Sequence, residues 1–213
     1  MNIEMKKYIW AIAAGIMVAS TIAFVACTKE NPVNDTQIAT PLQQKSITPA
    51  EEIIIAEWSD SGITYLFNKN HVLSNIQSQL KDSLNINCIM EDIQISIKNV
   101  DKEDVAVVSI SYFDLDNEVA VTMFGILTQH SGVSSSIMLA LGCGGITASC
   151  IGVNCKEPCE GNVGNTAAGE SVVFGCKGCE HALDPKQNHS CNYNVTQGIV
   201  SRLVFDCFQM DIL

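Results

Sequence analysis

Basic side chains are scarce: 12 Lys and Arg stand against 23 Asp and Glu, and the formal net charge is -11. A chain so poor in cations lacks the phosphate-neutralising surface that nucleic acid requires, so nucleic acid is not expected as a partner. Charged residues of both signs make up only 16% of the sequence while apolar ones make up 47%, which excludes a wholly disordered chain. The length of 213 residues fits one domain or two small ones. Motifs for catalysis are missing as well. Gly142-Cys143-Gly144-Gly145 is glycine-rich but has no trailing Gly-Lys-Ser, so it is not read as a phosphate loop. Asp114, Asp116 and Glu118 alternate, yet no Gly or twelfth-position Glu follows to complete a calcium loop. His71 and His130 have no Ser or Cys at a spacing that suits nucleophilic catalysis, and Trp58 and Tyr65 are read as packing aromatics. No enzyme activity is indicated.

What is present begins with a leader. Lys6 and Lys7 precede an uncharged apolar run over residues 8–25, which ends in Ala26 and Cys27, the order of an export signal. At about 1.5 Å per residue the run also spans roughly 27 Å, so its length alone fits a plain membrane anchor. Phe24-Val25-Ala26-Cys27 resembles the lipobox of bacterial lipoproteins. That resemblance covers only the signal. It implies acylation of Cys27, removal of residues 1–26 and, since no Asp follows in Thr28-Lys29-Glu30, residence at the outer membrane of a bacterial envelope. The membrane is then a partner through the lipid. Glu4 sits oddly in a basic leader, and Met5-Lys6-Lys7 reads as the better start. Loss of Lys6, Lys7 and Glu4 with the leader would make the remainder one charge unit more negative, a body held off anionic lipid rather than lying on it. Asp82-Ser83-Leu84 resembles an O-glycosylation acceptor of some envelope proteins, a pattern only three residues long.

Residues 28–48 carry Pro32, Pro41 and scattered Asn and Gln without an apolar period, the composition of a tether reaching roughly 25 Å as a flexible coil. Thr48-Pro49-Ala50-Glu51 has capping-box order and predicts a short helix, although Ile53-Ile54-Ile55 would also suit a strand. Val72, Leu73, Ile76, Leu80 and Leu84 recur at three and four and predict an amphipathic helix. Three strands are predicted after it, around Ile93, Ile95 and Ile97, around Val105, Val107 and Tyr112, and around Val119, Val121 and Met123. Short polar connections favour consecutive antiparallel pairing. The expected fold class is therefore α+β: one helix on a small antiparallel sheet over residues 49–130, then a Gly- and Cys-rich, loop-dominated region over 131–213. In that region the run 199–208 could be an added strand or a short helix.

Nine of the fourteen glycines lie between Gly142 and Gly178, and eight of the ten cysteines follow residue 142. Such a chain loses much entropy on ordering and buries little, so it needs cross-links. In an oxidising envelope Cys143, Cys150, Cys155, Cys159, Cys176, Cys179, Cys191 and Cys207 are the disulfide candidates; eight cysteines allow 105 connectivities. Cys88 is read as a small buried hydrophobe. The alternative is zinc, for which no cofactor is otherwise expected: Cys155-x3-Cys159 and Cys176-x2-Cys179 approach the spacing of a zinc ribbon, with His181 and His189 as substitutes. Iron-sulfur ligation lacks its runs of two-residue gaps. A third reading makes Cys176-Lys177-Gly178-Cys179 a redox pair, with too little chain after it for a thioredoxin-like fold. The expected function is an envelope lipoprotein serving as a binding or structural module, its protein or small-molecule ligand unnamed by the sequence, with a zinc or thiol-disulfide redox role as the alternative.

Overall fold

A computed structural model describes residues 52–132, 135–166, 169–196 and 198–212. The leader, the acylation site at Cys27, the tether and the capping box at residues 48–51 lie outside the described residues. Among the described residues no helix is long and apolar enough to cross a membrane.

The first element is a hairpin. β1 (Glu52–Ser59) pairs with β2 (Gly62–Tyr65), with Ser59 opposite Gly62 and Asp60-Ser61 in the turn. Gly62 has a φ of +112°, a conformation that side chains rarely accept. Helix α1 (Lys69–Leu84) begins where the Asn68 side chain accepts a hydrogen bond from the His71 N–H and ends at Asn85 in the left-handed region. Val72, Ile76 and Leu80 are its buried stripe. Then come β3 (Cys88–Val100), β4 (Glu103–Asp114) and β5 (Val119–Ile126), paired consecutively and antiparallel. The β3–β4 turn places Asp101 and Lys102 both at positive φ, the twist that two-residue hairpins favour. At the β4–β5 turn the Asp114 carboxylate accepts from the Asp116 and Asn117 backbone N–H groups and from the Asn117 side chain.

The remaining strands are β6 (Thr128–Ser131), β7 (Ile137–Gly142), β8 (Ile146–Val153), β9 (Glu160–Asn165), β10 (Ser171–Lys177) and β11 (Ser190–Val195), followed by α2 (Gly198–Ile212). They complete three antiparallel sheets: a four-stranded one in the order β2-β1-β7-β6, a five-stranded one in the order β11-β8-β5-β4-β3, and the β9–β10 hairpin. Alternation along β4 feeds two cores. Ala106, Val108, Ile110 and Tyr112 face a core shared with α1, α2, β1 and β7, whereas Val105 and Val107 face a smaller one with Val173 and the sulfurs of Cys150, Cys155, Cys159 and Cys179. At the edge of the large core Phe67 meets Phe208 edge-on at 4.8 Å between ring centroids.

One sequence expectation is corrected, and two alternatives that the sequence left open are decided. Among the described residues the fold is mostly β, with two helices and three sheets, rather than one helix on a small sheet followed by loops. Residues 52–59 are a strand, because Ile53 and Ile54 pair with Leu141 and Ala140 of β7 and, past a register shift at Ile55, Ala56 pairs with Leu139. The run 199–208 is helical: Ser201, Val204, Phe205 and Phe208, spaced by three and four, are all buried, and the strand that joins the sheet is β11 instead. Because β8 pairs with β5 and β7 with β1, residues on both sides of 131 share the same sheets, and Glu51–Leu213 forms one compact unit. The change at residue 131 is one of composition.

Candidate functional site

The Gly- and Cys-rich segment is organised by sulfur. Three disulfides between described residues join Cys150 to Cys176, Cys155 to Cys179 and Cys159 to Cys191, with Cα–Cα separations of 5.8, 5.8 and 6.0 Å. They link β8 and the turn after it to β10, to the loop beyond and to β11. Where most domains would place Leu or Ile, this core has disulfide sulfur: Cys150 is fully buried and Cys155 and Cys159 are each 2% exposed. Gly161 lets the hairpin come close, since a Cβ there would fall 3.1 Å from Val173 and 3.2 Å from the Phe124 ring.

The eight disulfide candidates have different fates. Six form the three bridges. Cys207 is a correction: it is a free, fully buried thiol on the inner side of α2, packed in the large core away from the other bridges' core. Burial pushes its pKa up to about 12, with a further push from the Asp206 charge. Cys88 is also free and buried, its thiol raised by burial and by Asp114. Both are held protonated, unlike reactive thiols. Cys143 is 3% exposed and is not one of the free thiols; its sulfur lies 3.3 Å from Arg202 Nη1.

The zinc set is not brought together as the spacing suggested. Cys176 is committed to Cys150, and the sulfurs that do converge are those of Cys155, Cys179 and Cys191, all within 4.8 Å of one another. Two of those three are joined directly as a disulfide and the third is bonded to Cys159, so in this oxidised state they are not thiolate ligands. Nor is Cys176-x2-Cys179 a redox pair, since its two sulfurs belong to different bridges and Lys177 faces Glu160 at 3.8 Å. His181, a substitute ligand, binds Glu157 through both its ring Nδ1 and its backbone N–H. Slight burial works against ionisation of Glu157, but these bonds and the His181 charge bring its pKa below the usual range.

Other singled-out residues are structural. Gly142 and Gly145 close the β7–β8 turn with a 2.8 Å backbone hydrogen bond. His130 contacts Glu52 at 2.9 Å and His71 contacts Asp211. Tyr65 packs edge-on against Phe67, its hydroxyl accepting from the Ile95 N–H at 3.1 Å. Ser83 sits in the last turn of α1 and bonds Gln79.

A second feature left no trace in the sequence. A groove of about 670 Å³ opens between the end of α1, the β4–β5–β8 sheet face and the β11–α2 junction. Leu84, Ile86, Val119, Val121, Met123, Ile151 and Val200 make it apolar, and Tyr112, Asp114, Ser149, Asn194 and Thr196 add polar groups. The Thr196 hydroxyl oxygen is buried without a hydrogen-bond partner. Tyr112 has its pKa pushed up to about 12 by burial, then by Cys88 and Asp114, so its phenol remains a neutral donor. Asp114 gives the same region a negative charge, which disfavours anions. These residues come from four separated stretches of chain, so no local pattern announces them. Comparison of the chain with protein-family models, with curated proteins and with solved structures finds no match.

Proposed function

We propose that the chain is an outer-membrane lipoprotein of a bacterial envelope whose disulfide-stapled β domain is a binding module for a small neutral or cationic apolar molecule. The groove carries this reading: its volume lies in the range of small-molecule sites, its walls are mainly aliphatic, and a neutral phenol and an unpartnered hydroxyl supply orientation. Export is supported by the lipobox-like Phe24-Val25-Ala26-Cys27 and by three bridges of the kind that persist in oxidising compartments. The acyl group on Cys27 would anchor the module while its negative charge keeps it off the lipid surface.

Two measurements test the two halves. Titration of the oxidised chain from residue 28 onward with the neutral fluorophore N-phenyl-1-naphthylamine should give saturable enhancement, weakened at least about tenfold in Val119→Arg, which places a charge in the apolar wall. A signal unchanged by Val119→Arg in a variant of unaltered melting temperature would reject the groove. Metabolic labelling with a clickable fatty acid should mark the wild type and not Cys27→Ser; label retained by that variant would reject the anchor.

A further inference from the structure

Two of the three disulfides are in contact with each other. Cys155 Sγ lies 3.9 Å from Cys191 Sγ, although each is bonded elsewhere, to Cys179 and Cys159. Gly152 makes this approach possible, because a Cβ there would fall 3.0 Å from Cys159 Sγ and 3.1 Å from Cys155 Sγ. The third bridge stands apart, the near neighbours of Cys150 Sγ being the carbonyl oxygens of Glu160 and Gly175 at 3.9 Å. Exchange proceeds when a thiolate meets a disulfide sulfur, so the neighbouring pair meets its first geometric requirement and the third bridge does not.

We propose that Cys155, Cys159, Cys179 and Cys191 form one exchangeable disulfide unit, a capture site for a small or protein thiol. Cys191, the partly exposed member of the unit, belongs to the other bridge; of the Cys155–Cys179 pair, Cys179 is 9% exposed against 2% for Cys155 and is the end of that bridge nearer solvent. Attack there forms a mixed disulfide at Cys179 and expels Cys155 as a thiolate. The Cys155 thiolate then attacks Cys191: an S–S bond forms between them, the Cys159–Cys191 bond breaks, and its electron pair leaves on Cys159. One disulfide is made for each one broken, so neither step needs an oxidant. The second step also removes Cys155, the group placed to expel the captured thiol from Cys179. Capture is thereby prolonged, a consequence absent from an isolated bridge.

The test is Cys179→Ala in the full oxidised chain, which leaves Cys155 as a thiol beside an intact Cys159–Cys191 bridge. After acid quenching and alkylation, non-reducing peptide mapping should find both Cys155–Cys191 and Cys159–Cys191, with the label shifted in part from Cys155 to Cys159. The free thiols Cys88 and Cys207 take label in every variant; beyond these, Cys176→Ala, the control, should carry label on Cys150 alone. Should Cys179→Ala fail to fold, wild type treated briefly with limiting reduced glutathione should yield glutathione on Cys179 together with a Cys155–Cys191 bridge. Label that beyond Cys88 and Cys207 is confined to Cys155, glutathione capture with Cys159–Cys191 unchanged, or scrambled pairs that include Cys150 or Cys176 would each overturn the proposal.

Discussion

Replacing Cys150 and Cys176 together by Ala removes the bridge that ties the middle of β8 to β10. Considered alone, a cross-link over a sequence separation of 26 residues restricts the unfolded chain by about 3.5 kcal/mol in the loop-entropy picture. The neighbouring bridge changes the calculation. With Cys155–Cys179 intact, the shortest closed path runs from Cys150 to Cys155, across that bridge, and back from Cys179 to Cys176. That loop has about ten residues and is worth about 2.7 kcal/mol. Cys150 is fully buried and Cys176 partly so, and deleting two sulfurs from between the strands costs about 1 kcal/mol more by comparison with buried methylenes. The expected loss is about 4 kcal/mol. It is read from urea unfolding of the oxidised wild type and double variant, followed by far-UV circular dichroism and extrapolated to water. The slope should rise slightly as the denatured chain expands. A loss below about 1 kcal/mol would refute the reasoning, because packing alone would then hold the β9–β10 hairpin on the sheet.

Three further outcomes follow from the same geometry. Gly152→Ala should lower stability by about 1–3 kcal/mol, since its Cβ meets sulfurs that two bridges prevent from moving; differential scanning calorimetry measures it. Asp211, its side chain 6% exposed, has its pKa raised by burial but lowered more by bonds from the His71 ring and the Asn68 N–H and by the His71 charge. Because the folded pKa is depressed below 3.8, its contribution is complete above that value and disappears as pH falls through the folded pKa; Asp211→Asn should flatten the urea midpoint in this acid range. Native oxidised protein should leave Cys88 and Cys207 unmodified by iodoacetamide at pH 8, and unfolding should expose both, as counted by mass spectrometry.

Some of this architecture is written locally. The stripe Val72, Ile76 and Leu80 marks α1 and alternation over 93–97 marks β3, because each reports which side of one element leaves water; alternation over 119–123 marks β5 as a strand although both of its faces are buried. The need for cross-links in the glycine-rich segment was equally legible. The strands of that segment were not. Cys150, Cys155 and Cys159 occupy core positions that a search for large apolar residues passes over, and glycines such as Gly161 carry no hydrophobic signal although the strand packs tightly there. The Ile-rich run of β1 suited two structures equally until β7 offered it a partner.

Composition and periodicity by themselves determined the acidic charge, one amphipathic helix, three consecutive strands and a reliance on sulfur, since these depend on residue type and short-range spacing. Tertiary structure alone decided the pairing of β5 with β8, the choice among bridge connectivities, the burial of Cys207 as a free thiol, and the assembly of the groove. The reason is physical: each depends on which distant segments come to share a face, and that choice is made by the joint burial of two cores rather than by any stretch of chain alone.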